Sequence, residues 1–89
     1  MKLLTIAVAG AGFHQHPGKL VQGEEVMLRR QPHNRNHANA VAVLDSNGKQ
    51  AGWVPREMAD ILSPALLEGS ITVLRCEAHT SRSIDIYFQ

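Results

Sequence analysis

The chain of 89 residues is long enough for one domain with its own hydrophobic core, without metal ions or disulfides. Nine Lys and Arg residues against eight Asp and Glu residues give a net charge of +1, which excludes a histone-like protein held to its partner by bulk positive charge. The single cysteine, Cys76, cannot form an intramolecular disulfide, so the composition favours a reducing, cytoplasmic compartment.

The first predicted element is a β-strand over residues 2–8, where Leu4, Ile6 and Val8 alternate with side chains that point to the other face. The same segment imitates a short signal peptide, but its removal would delete a strand from a small domain that has no disulfide framework. No apolar run approaches the roughly 20 residues that cross a bilayer, so we expect no membrane contact.

A loop of small residues follows the first strand and leads to Phe13. Gly10 and Gly12 do not complete a dinucleotide-binding fingerprint, because the third glycine and the helix that should follow are missing. An aromatic residue placed directly after a strand either caps the core or faces a ligand, and Phe13 is open to both interpretations. The second strand is predicted over residues 24–30 and ends before Pro32, which cannot donate to a sheet.

A polar loop over residues 31–39 separates the second strand from the third. Asn34, Asn36 and Asn39 offer amide donors and acceptors and tolerate the turn conformations that an irregular loop requires. The positive or potentially positive side chains of the loop are His33, Arg35 and His37. This combination indicates an anion-binding edge, although an ordinary surface loop has the same composition.

A β-hairpin is predicted next, with strands over residues 40–44 and 49–54. Asn47-Gly48 between them is the strongest turn signal in the chain, because both residues accept the positive φ angles of a tight hairpin. The second strand of the hairpin closes on Trp53. This tryptophan is either a satisfied residue of the barrel rim or a stacking platform.

A helical segment follows the hairpin. Pro55 fits the first turn, where its missing N–H costs nothing, and apolar residues then recur at helical spacing. Ser63-Pro64 predicts the restart of a second short helix with the serine as its cap, and Gly69 ends that helix. Strands over residues 71–76 and 84–88 complete the chain.

This order predicts a mainly β fold in one domain over residues 1–89. Six antiparallel strands with one or two short helices between the fourth and fifth form a small, closed or nearly closed barrel, because closure removes exposed strand edges. Cys76 lies in an alternating apolar segment, which predicts a buried, inert thiol.

Two pairs of histidines suggest a metal site or an acid–base pair. His14 and His16 alternate, and His33 and His37 are four residues apart. Neither pair lies on a predicted helix, and no cysteine or carboxylate completes a tetrahedral zinc site. A metal-free ribonuclease needs two histidines on opposite sides of a phosphate, which mobile loops seldom provide. We therefore expect no metal, no cofactor and no catalysis.

The run from Arg30 to Val43, followed by Asn47-Gly48 and Gly52-Trp53-Val54-Pro55-Arg56, resembles the HIRAN family. Val8-Ala9-Gly10 followed by Phe13 also fits, so the resemblance covers residues 4–79. It implies an OB-like barrel and a nucleic-acid role. In the fork-remodelling helicases that carry it, the domain grips single-stranded DNA, notably a free 3′ end, and bacterial and phage relatives are often stand-alone.

The resemblance also implies roles for individual residues. Phe13 falls where an aromatic stacks a base, Trp53 where the family has an aromatic or histidine, and Arg56 where a basic residue contacts a phosphate. Asn39 matches an asparagine that fixes the shape of the loop. The complete set of predicted nucleic-acid-binding residues is Phe13, His14, Asn34, Arg35, Asn36, His37, Trp53 and Arg56.

The chain departs from the family pattern at three positions. Asn36 stands where many members have an aromatic, His37 where many have an aspartate that addresses the terminal hydroxyl, and Gly12 where the eukaryotic domains have a basic residue. These departures favour general single-strand binding over capture of a 3′ end. Two aromatic platforms and a few arginines predict a short footprint and an affinity on the order of micromolar.

Two functions follow from these observations. The first is a non-catalytic module that grips single-stranded DNA or a DNA 3′ end by aromatic stacking and by Arg and Asn contacts to phosphates. The alternative is a protein-interaction subunit of a larger helicase, nuclease, or phage or defence complex.

Overall fold

The chain forms six β-strands and one α-helix within residues 1–11 and 16–89, which a computed structural model describes. The predictions for Phe13 and His14 lie outside these ranges. The elements are β1 Lys2–Ala7, β2 Met27–Arg30, β3 Val41–Leu44, β4 Gln50–Trp53, α1 Arg56–Glu68, β5 Val73–Thr80 and β6 Ser83–Phe88.

The strands form two antiparallel sheets of three strands each, in the orders β1-β6-β5 and β2-β3-β4. Single bridges join the sheets at two places, one between Ala9 and Trp53 and one between Glu25 and Glu77. The mainly β, antiparallel prediction with a helical segment after the fourth strand is therefore confirmed. The sheets do not merge into one continuous closed ladder.

The inner faces of the two sheets share one hydrophobic core. Val41 and Val43 of β3 and Ile84 and Ile86 of β6 are completely buried at its centre. Helix α1 adds buried side chains to the same core, chiefly Ala59 and Leu62. Among the described residues, no helix is both long and apolar enough to span a membrane.

The helical segment is one 13-residue helix, so the prediction of a restart at Ser63-Pro64 is wrong. Ser63 is buried inside the helix, where its hydroxyl accepts a hydrogen bond of 2.9 Å from Nε of Arg30. Pro64 removes one intrahelical donor, but the packing of neighbouring apolar residues on the core outweighs that local cost. Pro55 precedes the helix as its N-terminal cap residue and does not lie within the first turn, where it was predicted. Gly69 ends the helix at a φ of 77°, as predicted.

Two strands differ from their predicted bounds by three or more residues at one end, β2 because of a contact distant in sequence and β5 because of a tight turn. β2 begins only at Met27, because the residues before it do not pair with β3. Glu25 forms a bridge to Glu77 of β5 instead. β5 continues to Thr80, beyond its predicted end, because a turn at residues 81–82 is enough to pair it with β6.

The turn between β3 and β4 is stabilised by Asp45. Its Oδ1 accepts backbone hydrogen bonds of 2.9 Å from both Asn47 and Lys49. Gly48 has a φ of 80°, whereas Asn47 keeps a negative φ, so only one of the two predicted positive angles is present. The aspartate side chain supplies the hydrogen bonds that hold this wider turn.

Cys76 is buried, as predicted, with 4 % of its surface exposed. Burial, followed by the negative charges of Asp85 and Glu77, raises the pKa of its thiol to about 12. The thiol is therefore protonated at neutral pH and unreactive in the folded chain.

Thr5, Asp85 and His79 form a hydrogen-bonded cluster on the outer face of the β1-β6-β5 sheet. Thr5 donates from Oγ1 to Oδ1 of Asp85 at 2.5 Å, and Nδ1 of His79 lies 3.0 Å from Oδ2 of the same carboxylate. The hydrogen bond from Thr5, assisted by His79, holds the pKa of the Asp85 carboxyl below its usual range and outweighs burial, which raises it.

Replacing Thr5 by valine removes this hydrogen bond, and we expect the free energy of unfolding at neutral pH to fall by about 1–2 kcal/mol. Because the pKa of Asp85 is lower in the folded state, its stabilising contribution is complete above about pH 4 and is lost as the pH falls through the folded-state value. The difference in unfolding free energy between the parent chain and Thr5→Val should therefore become smaller as the pH is lowered.

Urea unfolding curves from neutral to acid pH measure this deficit. Thr72→Val is the matched control, because Thr72 is exposed and its hydroxyl makes no hydrogen bond within the described residues. A deficit of Thr5→Val that stays constant with pH would contradict the assignment.

Candidate nucleic-acid interface

An open cleft of about 320 Å³ lies where β4 ends and α1 begins. Five of the predicted site residues line it, namely Asn34, Asn36, His37, Trp53 and Arg56. Ala9, Ala40 and Val54 form the apolar remainder of its wall. Side chains from the polar loop, a strand end and a helix start thus converge on one surface, which we call the Trp53 cleft.

Trp53 is positioned by the backbone bridge between the two sheets. Its N–H donates to the carbonyl of Ala9 and its carbonyl accepts from the N–H of Ala9, both at 2.8 Å. Gly52 permits this approach, because a Cβ at that position would lie 2.5 Å from the Ala9 carbonyl oxygen. The indole therefore lies at the edge of the β-sheet in a half-buried position.

His16 contacts the Trp53 ring, a neighbour that the sequence did not predict. The ring centroids are 6.2 Å apart with an interplanar angle of 78°, an edge-to-face arrangement. No local pattern could indicate this contact, since 37 positions separate the two residues in the sequence. The histidine holds the indole from one direction and leaves it half-buried, not enclosed.

Asn34 folds the polar loop through its own side chain. Its Oδ1 accepts the backbone N–H groups of Asn36 and His37 at 2.9 and 3.1 Å. Its Nδ2 donates to Oε1 of Gln31 at 3.3 Å. Asn34 therefore shapes the loop that presents Asn36, and its side-chain oxygen is already used within the protein.

Asp60 of α1 ties the same loop to the helix. Its Oδ1 lies 2.6 Å from Nε2 of His37 and accepts a hydrogen bond of 3.2 Å from Nδ2 of Asn39. The hydrogen bond from His37, then that from Asn39, and the nearby charge of Arg56 hold the pKa of the Asp60 carboxyl below its usual range. The sequence did not indicate this role of Asp60, although its spacing of four from Arg56 on a helix places both on one face.

The other arginines in or next to the polar loop do not line the cleft. Arg35 is exposed on the loop and does not line the Trp53 cleft. Arg30 is bonded to Ser63, and Arg29 is exposed on β2. Arg56 is therefore the arginine that lines the cleft.

No group of three histidine, cysteine, aspartate or glutamate side chains within residues 1–11 and 16–89 comes together in metal-binding geometry. The Trp53 cleft instead combines an indole, a guanidinium, an imidazole and two amides. This set provides a flat apolar surface for stacking beside donors for an anionic group.

The profile of the HIRAN domain family matches residues 3–89. The chain belongs to the HIRAN family. No curated protein sequence matches it.

The fold agrees with solved HIRAN structures. The crystal structure of the HIRAN domain of human HLTF superposes with a TM-score of 0.81 at 23% identity, covering 97% of this chain and 74% of that one. The NMR structure of the HLTF HIRAN domain in its DNA-bound conformation gives a TM-score of 0.74 at 22% identity, covering 97% and 73%. The predicted OB-like HIRAN fold is thereby confirmed, whereas the roles of individual residues stay predictions.

Replacing Asp60 by alanine removes both side-chain bonds between the polar loop and α1 of this HIRAN chain. We expect amide hydrogen exchange at Asn36, His37 and Ala40 to become faster, because the loop loses its contact with the helix. In the parent chain the same loosening should develop as the pH falls through the depressed pKa of Asp60.

Hydrogen exchange followed by NMR measures these rates. Glu57→Ala is the matched control, because Glu57 is exposed on the first turn of the same helix and its side chain makes no hydrogen bond or ion pair with the loop within the described residues. Equal exchange rates in Asp60→Ala and Glu57→Ala would show that Asp60 does not order the loop.

Proposed function

We propose that this HIRAN chain binds single-stranded DNA, or the single-stranded end of a duplex, in the Trp53 cleft and has no catalytic activity of its own. The convergence of Trp53, Arg56 and Asn36 on one open surface carries this proposal. The likeness of the fold to the HLTF HIRAN domain, which has a DNA-bound conformation, supports it.

Stacking on Trp53 is the first part of the proposed contact. Every base has a π-face, so an indole at the wall of an open cleft accepts bases with little sequence preference. Ala9 and Val54 line the cleft together with Trp53 and would shield one side of a stacked base from water. Each stacked base contributes roughly 1–3 kcal/mol in known single-strand binders.

Phosphate binding is the second part. Arg56 is exposed, lines the cleft and is the first residue of α1, whose N-terminus is the positive end of the helix dipole. The first helical hydrogen bond runs from the N–H of Ala59 to the carbonyl of Pro55, so the N–H groups of the preceding first-turn residues have no intrahelical acceptor. Both features favour an anionic group at this end of the helix.

The absence of catalysis is proposed from the side chains around the cleft. His37 is the only imidazole that lines the cleft within the described residues, whereas a metal-free nuclease needs two histidines on opposite sides of a phosphate. The other polar side chains lining the cleft are the amides of Asn34 and Asn36, the Trp53 indole and the Arg56 guanidinium, which do not exchange protons readily at neutral pH. The geometry suits holding a strand and not cleaving it.

Asn36 and His37 are proposed to make the chain indifferent to the 3′ terminus. Asn36 provides an exposed amide in the cleft, and His37 is turned toward Asp60. Fluorescence anisotropy with matched strands that end in a 3′-hydroxyl or a 3′-phosphate, and with a blunt duplex, tests this. We expect similar affinities for the two single strands and weaker binding of the duplex.

Replacing Trp53 by alanine should weaken single-strand binding by roughly 1–3 kcal/mol, the contribution of one stacked base. Trp53→Phe should retain most of the affinity, because a smaller ring still stacks. Tyr87→Phe is the aromatic control, since Tyr87 lies on the outer face of β6 beneath Arg75. Circular dichroism checks that each variant is folded, and an unchanged affinity in folded Trp53→Ala would exclude the stacking role.

Replacing Arg56 by glutamine should remove one phosphate contact. The slope of log affinity against log salt concentration should then fall by about 0.7, the value for one phosphate of a single strand. Arg75→Gln removes the same charge at a distant site, where Arg75 stacks on Tyr87 with its guanidinium carbon 4.1 Å from the ring centroid. Equal changes of slope in both variants would contradict a specific role for Arg56.

A second candidate function is protein docking at the free edge of β1. The N–H of Val8 donates to Arg82 next to β6, whereas Ala9 is hydrogen-bonded to Trp53 on the opposite side. Backbone groups alternate in direction along a strand, so those of Leu3, Thr5 and Ala7 point away from β6. Within the described residues β1 pairs with β6 alone over Lys2–Ala7. An edge of this kind accepts an extended partner strand by β-augmentation.

An apolar groove of about 150 Å³ supports this alternative, because it lies between β1, β6 and α1 and has side chains such as Leu4, Ile61 and Phe88 in its wall. An added strand would place alternate apolar side chains near it. Titration with a peptide of the sequence of β1, followed by NMR, should then shift the amides of Leu3, Thr5 and Ala7. If the chain binds no single strand and these amides do shift, docking is the better description.

A further inference from the structure

A second cleft, of about 340 Å³, borders the same two backbone segments as the Trp53 cleft. Ala9 and Trp53 line the first cleft, whereas Ala11 and Ala51, two residues away along each segment, line the second. The two clefts are therefore neighbours, separated where Gly52 packs against the backbone of Ala9.

The second cleft carries positive charge. Lys19 and Arg82 line it and are exposed, and its other lining residues carry no charge. Neither side chain forms an ion pair with a carboxylate within the described part of the chain. Glu24 and Asp45 line a separate cleft that also contains Lys19.

Asp45 forms no ion pair with the ammonium group of Lys19 within the described residues, and its carboxylate oxygens accept backbone N–H groups instead. Its Oδ1 accepts from Asn47 and Lys49, and its Oδ2 accepts the backbone N–H of Lys19 at 3.0 Å. The ammonium group of Lys19 therefore remains available to an anion from outside the protein.

Both cations extend from well-anchored backbone. The carbonyl of Arg82 accepts from Val8 at 2.8 Å, and its N–H donates to Oγ1 of Thr80 at 3.1 Å. The residue before Lys19, Gly18, donates to the carbonyl of Gln50 at 2.7 Å. Val21, with 54% of its surface exposed, adds an apolar contact for a sugar or base.

We propose that the second cleft is a phosphate-binding extension of the Trp53 cleft, in which Lys19 and Arg82 hold the backbone of the same single strand. This inference rests on the proposed function of the Trp53 cleft and adds the length of the footprint. A short strand fills the Trp53 cleft alone, whereas a longer strand continues past Ala11 and also contacts Lys19 and Arg82. Single-strand sites on OB folds range from about 4 to 16 nucleotides, which leaves room for such an extension.

The test compares two double variants with the same net charge. Lys19→Gln/Arg82→Gln removes both cations of the second cleft, and Lys2→Gln/Arg75→Gln removes two cations that line neither cleft. Anisotropy titrations over a range of salt use thymidine strands of about 4 and about 16 nucleotides. Circular dichroism confirms that both variants are folded.

We expect Lys19→Gln/Arg82→Gln to bind the long strand about tenfold more weakly, with a salt slope lower by about 1.4 for two lost phosphate contacts. Its affinity for the short strand should stay within about twofold of the parent chain. An equal loss in Lys2→Gln/Arg75→Gln would overturn the inference, because general charge would then explain the effect.

An equal loss for the short and long strands would also overturn it, because Lys19 and Arg82 would then not act on the extension. Failure of the proposed single-strand binding itself would give a different result from failure of the extension. In that case the parent chain binds neither strand, or folded Trp53→Ala binds both as well as the parent does.

Discussion

Two hydrogen bonds between the backbones of Ala9 and Trp53 hold one junction of the two sheets and also place the candidate site. They are short enough only because Gly52 has no side chain at the crossing. The end of β1, the end of β4 and the start of α1 are thereby brought to one location. Both clefts border this crossing, so their relative position depends on the same few backbone atoms.

A second constraint acts on the polar loop. Backbone hydrogen bonds at Asn34 and Ala40 close the loop on itself, but its attachment to the helix depends on the side chains of His37 and Asn39 meeting Asp60. The Asp60 carboxylate is about half exposed, so this attachment is open to solvent and to protonation. The site thus combines the end of β4, which is fixed by backbone hydrogen bonds, with a polar loop that is attached to α1 by polar side-chain contacts.

The sequence pattern predicted correctly those strands and helix ends that are determined by neighbouring residues in the chain. Alternation of apolar residues predicted the strands, and Gly69 predicted the end of the helix because the left-handed conformation there suits glycine. Ser63-Pro64 misled the prediction, because capping preferences describe an isolated helix, and here the packing of the helix on the sheets decides. The partial shift of β2 toward β5 has the same origin, since it depends on residues about 50 positions later in the chain.

The candidate site divides in the same way. The residue types of the polar loop and the strand that ends on Trp53 indicated a shared surface, and five of the predicted residues do line one cleft. The contributions of His16, Asp60 and Lys19 come from segments that only the folded topology brings near. Arg30 and Arg35 carry the right charge for the site, but the fold directs one to Ser63 and leaves the other on the outside of the loop.

The buried position of Cys76 makes its thiol a probe of local opening in the domain. The carbonyl of this residue accepts from Val26 at the second junction between the sheets, and its thiol is the only one in the chain. A thiol-specific reagent reaches the buried sulfur when this part of the core opens, so the labelling rate reports local opening around β5, including its separation from the chain at Val26. The Trp53 cleft lies at the other junction between the sheets. If a DNA strand bound there slows the labelling of Cys76, the two junctions open together; if the labelling rate does not change, they open independently.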